Sequence, residues 1–168
     1  GLGIMSELRT NKIYPRDGLP AGASGGIIQM KYDSSGTGTG GSSNATTLSS
    51  TSFVDIGLEI SITPTSSSNK MHVSFSVGAN NNASSTTGDR LKLRILRDST
   101  VIWSVDEALV DYGSSNIHVQ GVGGSILDSP ATTSAITYKV QGATSSAGNN
   151  CTINNNTRSD LTVMEVSG

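Results

Sequence analysis

In residues 52–63 (SFVDIGLEISIT), a branched apolar side chain recurs at every second position from Val54 to Ile62, which limits this stretch to one kind of secondary structure. A pleated strand has a side-chain period of two, so it places every second residue on the same face. A helix would scatter these branched side chains around its whole circumference. The stretch therefore predicts a β-strand with one buried face, formed by Val54, Ile56, Leu58, Ile60 and Ile62.

Shorter stretches with the same period follow along the chain. They predict further strands at residues 25–32, 70–77, 90–96, 101–105, 117–122, 125–128, 136–141, 151–153 and 161–166. We expect antiparallel pairing of strands that are close in the chain, namely 52–63 with 70–77, 90–96 with 101–105, and 151–153 with 161–166.

Polar stretches rich in Gly, Ser, Thr and Asn separate these strands and predict loops at residues 33–52, 78–88 and 142–150. Gly123-Gly124 is expected to break a strand, and residues 106–112 (DEALVDY) are the only candidate for a helical turn. Gly36, Gly38 and Gly41 match the spacing of a dinucleotide-binding turn. The residues that follow have no helical period, so we expect a loop without a phosphate site.

The composition agrees with an all-β chain of one domain. Charged residues make up 14% of the 168 residues, against about 25% in an ordinary domain, and Ser, Thr and Asn take their place. We expect an antiparallel, jelly-roll-like β-sandwich of about eight to ten short strands. This domain is predicted to span residues 25–168 and to follow an extended N-terminal attachment arm at residues 1–24.

The predicted arm has too few apolar residues to fold alone. It contains a short alternating piece at 12–14, followed by Pro15, the turn signal Asp17-Gly18 and Pro20. Such a segment either lies extended along another surface or is disordered. If it docks, we expect the contacts to come from Leu8, Arg9, Asn11, Lys12, Ile13 and Tyr14.

Charge and hydropathy argue against two classes of partner. The net charge of −2 gives no electrostatic reason to bind nucleic acid or an anionic membrane. No run of about eighteen apolar residues is long enough to span a bilayer. We therefore expect neither nucleic-acid binding nor membrane insertion.

The residues that could carry chemistry form no recognisable site. His72 and His118 are expected as surface side chains on the outer faces of strands, and we expect no nucleophile elbow. Asp106, Glu107 and Asp111 could supply oxygen ligands to Ca²⁺, but their spacing matches no EF-hand loop. Cys151 is alone, so it cannot form an internal disulfide, and we expect a small buried side chain. We expect no catalytic residues, no metal, no cofactor and no enzymatic activity.

The last predicted strand is apolar on both faces. Leu161 and Val163 point to one side, while Met164 and Val166 point to the other. Both faces therefore need cover, which either a neighbouring subunit or a second sheet could supply.

Five stretches, in order, resemble a family of small virion appendage proteins of tailed bacteriophages, described as tail-fibre-like, capsid-fibre or decoration proteins. They are NKIYPRDG (11–18), SSTSFVDIGLEISITPTSSSNKMHVSFSV (49–77), LRILRDSTVIW (93–103), DSPATTSAITYKVQ (128–141) and LTVMEV (161–166). The resemblance covers about residues 6–166 and falls on strands and turns rather than on a site. It implies a jelly-roll-like sandwich that trimerises on the outside of a phage particle.

On this resemblance we expect a virion structural protein, located at the virion surface and anchored by its arm to other virion proteins of the capsid or tail. The homotrimer contact is expected at Met164 and Val166. Adhesion to host surface glycans would be a further role, with the polar loops at 33–51, 78–88 and 142–150 as candidates. A carbohydrate-binding module and the receptor-binding tip of a tail fibre are the alternatives.

Overall fold

The computed structural model describes residues 26–36, 45–81, 89–111, 118–145, 150–155 and 157–168, which form ten β-strands. Within these ranges there is no helix, and so none long and apolar enough to cross a membrane. All strand pairs are antiparallel. The strands are β1 (Ile27–Ser35), β2 (Thr46–Leu48), β3 (Val54–Ile62), β4 (Lys70–Asn81), β5 (Asp89–Arg97), β6 (Thr100–Asp111), β7 (His118–Asp128), β8 (Ile136–Thr144), β9 (Cys151–Ile153) and β10 (Ser159–Val166).

The strands form two sheets. Sheet A has the order β1-β10-β4-β7, and sheet B has the order β3-β8-β5-β6. Because β7 pairs with β4 along one whole edge, β10 and β9 lie end to end along the other edge. In the same way, β2 pairs with β9 just as β1 pairs with β10. We therefore count β1 and β2 as one interrupted strand, and β9 and β10 as another.

This arrangement has eight strand positions. Along the chain every connection between them crosses from one sheet to the other, except the connection from β5 to β6. Two four-stranded antiparallel sheets connected in this way form a jelly roll. The predicted all-β, jelly-roll-like sandwich is therefore confirmed.

The core lies between the two sheets and comes from the inward side of each strand. In β3 the alternation places Ile56, Leu58, Ile60 and Ile62 in the core as predicted. Val54 is 44% exposed instead. It precedes the irregularity between Asp55 and Glu59 in the pairing with β8, where Gly57 adopts a φ of 82°.

Side chains of β1 protect the free edge of β3, which would otherwise present unpaired backbone groups. Gln29 Nε2 donates to the Thr63 carbonyl oxygen at 2.8 Å, and Lys31 Nζ donates to the Ser61 carbonyl oxygen at 2.6 Å. Asp33 Oδ2 accepts a hydrogen bond from the Glu59 amide at 2.8 Å. These β1 side chains are spaced by two, so all three point toward β3. The opposite side of β1 is left for other contacts.

Two of the three predicted strand pairs are wrong. β3 and β4 form no hairpin, because β3 pairs with β8 in sheet B while β4 lies in sheet A. Residues 63–69 cross between the sheets instead of reversing within one. β9 and β10 do not pair with each other, because both lie along the same edge of β4. The β5–β6 hairpin is confirmed, with its turn at Asp98 and Ser99.

Two predicted interruptions are also wrong. The proposed helical turn at 106–112 is the second half of β6, held by pairing with Asp89–Leu91 up to Asp111; Tyr112 lies outside the described residues. Gly123 and Gly124 do not break β7, which pairs with β4 without a shift. A Cβ on Gly123 would lie 3.0 Å from the Phe75 carbonyl oxygen, and one on Gly124 would lie 3.1 Å from the Phe75 ring. Both glycines thus allow the strand to pack closely against Phe75.

The strands extend into all three predicted polar loops, because backbone pairing continues beyond the apolar residues. β1 continues to Ser35, β2 lies within 33–52, β4 continues to Asn81, and β8 continues to Thr144. Residues 37–44, 82–88 and 146–149, which make up much of these predicted loops, lie outside the described residues.

Candidate interaction surface

The outer face of sheet A is ordered into rows, because residues directly opposite each other on antiparallel strands share a face. The first row crosses four strands in register: Met30 on β1, Met164 on β10, His72 on β4 and Leu127 on β7. We call these four residues the apolar row. Met30 is 61% exposed and Leu127 is 60% exposed. They stand at the two ends of the row, with the half-buried Met164 and His72 between them.

The apolar row continues toward one end of the sheet. Val166 pairs with Ile27 on one side and with Lys70 on the other. Ile27 is 63% exposed, and Val166 and Met164 are half-buried. As predicted, β10 turns Leu161 and Val163 into the core and Met164 and Val166 outward. That these outward residues contact another subunit stays a prediction.

His72 stands in the middle of the apolar row, between Met164 and Leu127. Its side chain is half-buried on the outer face, as predicted for this histidine. The Nδ1 atom is buried and has no hydrogen-bond partner among the described residues. Such an atom normally finds a partner when it is buried.

The next two rows on the same face carry small polar side chains. One contains Tyr32, Thr162, Ser74 and Ser125, and the other contains Ser34, Asp160, Ser76 and Gly123. A shallow depression lies here, lined by Ser74, Phe75, Ser76, Asp160 and Thr162. The face is low here because Ser74, Ser76 and Gly123 have small side chains or none, whereas the neighbouring apolar row carries larger ones.

A polar cluster holds Tyr32 at the margin of this depression. The Tyr32 hydroxyl donates to Asp160 Oδ1 and accepts a hydrogen bond from an Arg158 Nη atom. Arg158 Nε donates to the same Asp160 oxygen at 2.9 Å. These hydrogen bonds, first to Asp160 and then to Tyr32, raise the pKa of Arg158. The Tyr32 side chain remains 52% exposed.

A fully buried carboxylate supports β1 and β10 from behind. Glu165 is 0% exposed and accepts hydrogen bonds from Asn69 Nδ2 at 2.6 Å, Gln29 Nε2 at 2.5 Å, and the Thr65 amide and hydroxyl at 2.7 and 2.8 Å. Desolvation alone would raise the pKa of Glu165, but these hydrogen bonds to the ionised form outweigh it and lower the pKa to about 2. Glu165 thereby ties both strands to the β3–β4 connection.

A second polar node clamps sheet A to sheet B. Asp128, at the end of β7, accepts two hydrogen bonds from Arg97 Nη1, at 2.6 and 2.7 Å. It also accepts one from the Tyr138 hydroxyl at 2.7 Å. Burial, followed by the hydrogen bond to Asp128, raises the pKa of Tyr138 well above its ordinary value. Arg97 and Tyr138 belong to sheet B, so the node fixes the relative position of the sheets.

The outer face of sheet B is polar, and its side chains bond to one another. Arg94 Nε donates to Gln141 Oε1 at 2.8 Å, and Gln141 Nε2 donates to Asp55 Oδ1 at 2.5 Å. Lys139 Nζ lies 3.3 Å from Asp55 Oδ2. The Arg94 guanidinium carbon lies 4.2 Å from the centroid of the Phe53 ring. The described part of this face has no counterpart to the apolar row.

Several residues singled out in the sequence are placed elsewhere or lie outside the described ranges. The predicted arm contacts at residues 8–14, and the arm itself, are among the residues not described. Cys151 is buried as expected. Asp106, on β6, lies 4.0 Å from Lys92 Nζ. No group of three His, Cys, Asp or Glu side chains that could hold a metal ion occurs within the described ranges.

Met30 and Leu127 are the members of the apolar row that the sequence did not single out. The alternation of Ile28, Met30 and Tyr32 was visible in the sequence and marks a possible apolar face. Its position beside Met164 depends on the β1–β10 register, which local alternation does not determine.

No protein-family model and no curated protein matches this sequence. Among solved structures, dimeric latent PorU from Porphyromonas gingivalis is similar at 11% identity and a TM-score of 0.44, covering 87% of this chain and 14% of that chain. A structure of infectious bursal disease virus, Gx strain, is similar at 9% identity and a TM-score of 0.43, covering 84% of this chain and 37% of that chain.

The VP2 subviral particle of infectious bursal disease virus gives 11% identity and a TM-score of 0.40, covering 84% of this chain and 40% of that chain. The chain thus spans less than half the length of each of these proteins. Likeness at this level carries no argument about function. The jelly-roll assignment rests on the strand order of the chain itself.

Proposed function

We propose that this chain is a structural protein of the virion surface, a small fibre or decoration protein that assembles as a homotrimer. The subunits meet through the apolar row of sheet A, together with Val166. The arm at residues 1–24 anchors the trimer to the capsid or tail. The observation that carries the proposal is the row of outward-facing side chains across sheet A, in which Met30 and Leu127 are more than half exposed.

The family resemblance supports a virion role because its motif residues have structural tasks in the sandwich. Arg97, Asp128 and Tyr138 form the inter-sheet clamp. Asp98 accepts a hydrogen bond from the Thr137 amide at 2.9 Å, and Glu165 ties β10 to the β3–β4 connection. These ties hold the two sheets and the β3–β4 connection together in one stiff sandwich, which suits a component of a particle.

A second copy of the chain is the occupant that best fits the apolar row. The four residues of the row include no carboxylate, lysine or arginine, so two copies can approach there without opposing like charges, and Lys70 lies at the margin beside Val166. Residues 1–25 join the sandwich at Gly26, directly before β1. Assembly through this face would therefore gather the arms of all copies, and linked arms bind a particle more firmly than single ones.

The assembly is tested by the mass of the full chain in solution, measured by light scattering on a sizing column. We expect three times the chain mass of 17.2 kDa. Met30→Lys places a charge in the contact and should reduce the mass to that of one chain. Ser104→Lys is the matched control, because Ser104 is exposed on the outer face of sheet B. A monomeric wild type, or a Met30→Lys variant that remains trimeric, would contradict the proposed contact.

The anchoring role has its own test. Deletion of residues 1–24 should leave a folded, trimeric domain that no longer joins particles. Normal incorporation of the truncated protein would show that the arm is not the anchor.

A further inference from the structure

The polar half of the outer face of sheet A has the features of a shallow ligand site. A carboxylate and several hydroxyls line the depression, and the lining Asp160 is bonded to an exposed aromatic side chain and to a guanidinium group. The three larger side chains are Tyr32, Asp160 and Arg158. None of them belongs to the apolar row, and none is needed for the proposed assembly.

We propose that this depression binds a neutral saccharide, with the Tyr32 ring as the stacking platform and Asp160, Arg158 and the neighbouring hydroxyls as hydrogen-bonding partners. The hydroxyls are those of Ser74, Ser76 and Thr162. Ligand binding by this face goes beyond the structural role proposed above.

The chemistry of the side chains matches a sugar ring. A pyranose has one face of C–H groups that packs on an aromatic ring and a rim of hydroxyls that both donate and accept hydrogen bonds. Among the described residues, Asp160 Oδ1 already holds Arg158 and Tyr32, whereas no hydrogen bond is formed by Oδ2. That second oxygen can accept from a sugar hydroxyl, as a charge-assisted hydrogen bond.

The polar groups are held in place before any ligand arrives. Arg158 bonds to both Asp160 and Tyr32, and its guanidinium carbon lies 5.8 Å from the centroid of the Tyr32 ring. Fixed partners reduce the ordering cost of binding. The side chains of Arg158 and Asp160 are nevertheless 49% and 35% exposed, so both remain accessible.

The charge balance selects a neutral ligand. Arg158 is already paired with Asp160, so the site offers no unpaired positive charge to a carboxylated sugar. The Asp160 carboxylate would also repel an acidic sugar. A neutral hexose or N-acetylhexosamine avoids both problems.

The outer face of sheet B is a poorer candidate for the same ligand. Its polar side chains bond to one another, and the Arg94 guanidinium carbon lies 4.2 Å from the Phe53 ring centroid, closer than the 5.8 Å between Arg158 and the Tyr32 ring. Tyr32, by contrast, is half exposed beside an open depression. A single shallow site should bind weakly, and three copies in one trimer would strengthen attachment to a sugar-coated surface.

The site is tested by titrating the ¹⁵N-labelled full chain with methyl glycosides of neutral hexoses and N-acetylhexosamines, up to their solubility limits. We expect saturable amide shifts at Ser74, Ser76 and Thr162 for at least one neutral glycoside, and weaker binding of sialic acid. Tyr32→Ala should weaken binding by about tenfold, the loss expected for removing one stacking ring. Tyr32→Phe should retain most of the affinity.

Two further variants keep this test decisive. Asp160→Asn should weaken binding even if Tyr32→Ala does not fold. Phe53→Ala, which removes an aromatic ring from the other face, should leave binding unchanged. The proposal is overturned if no neutral glycoside gives saturable shifts, or if binding survives both Tyr32→Ala and Asp160→Asn. Repeating the titration on the Met30→Lys variant separates saccharide binding from assembly, because the depression does not include Met30.

Discussion

The two outer faces of the sandwich differ in what they expose to solvent. On sheet B, charged and amide side chains form a network that pairs Arg94, Gln141, Asp55 and Lys139 with one another. On sheet A, Glu165 lies behind the face, a polar cluster around Asp160 occupies part of the face, and the apolar row is left outward. Apolar area exposed to water is unfavourable unless something covers it. The contrast supports the proposal that sheet A is the face of the subunit contact.

The largest expected difference in stability is between removing Glu165, the buried carboxylate behind sheet A, and removing Asp55, the exposed carboxylate on sheet B. Glu165→Ala leaves buried donors from Asn69, Gln29 and Thr65 without an acceptor, and should cost about 3 kcal/mol or more of unfolding free energy. Asp55→Ala removes an exposed partner and should cost less than about 1 kcal/mol. Urea denaturation of both variants measures the difference; equal losses would contradict a supporting role for Glu165.

The lowered pKa of Glu165 predicts how the stability of the fold depends on pH. The pKa of Glu165 is lowered in the folded chain to about 2, from an ordinary value of 4.5. Its contribution is therefore complete above pH 4.5 and is lost as the pH falls from 4.5 through 2. Thermal unfolding between these pH values should show a steeper loss for the wild type than for Glu165→Gln. Parallel curves for the two proteins would assign the acid sensitivity to other groups.

The smallest expected effect concerns the packing within the face of sheet B. Phe53→Leu removes the ring under the Arg94 guanidinium and should cost about 0.5–1 kcal/mol in urea denaturation. The mass of the protein in solution should not change, because this face makes no subunit contact in the proposed assembly. A change of oligomeric state in this variant would shift the contact to sheet B.

Alternation of side chains predicted the interior of the fold well, because burial of one face follows directly from a period of two. It placed most of β3 in the core and assigned Leu161 and Val163 to the inward side of β10. It could not pair β3 with β8, since alternation shows which way a side chain points but not which strand lies beside it. For the same reason the sequence analysis singled out Met164 as an outward residue, but neither Met30, which lies beside it, nor Leu127, which lies on β7.

The polar nodes were also missed, although one of them leaves a signal in the sequence. Glu165 follows Leu161 and Val163 at the same spacing of two, so the alternation itself places a carboxylate on the core side. Its partners Gln29, Thr65 and Asn69 come from two other segments, and only the folded structure brings them together. The arm contacts and the domain boundary remain predictions.

The most direct test of the account is the oxidation rate of individual methionines in the full chain at high and low concentration. Met30 is 61% exposed in one subunit, while Met71 is 0% exposed and serves as the internal reference. If the apolar row is the subunit contact, Met30 should oxidise nearly as slowly as Met71 in the assembled protein and much faster on dilution to monomers. A Met30 that oxidises at the same high rate in trimer and monomer would contradict the assignment of this face.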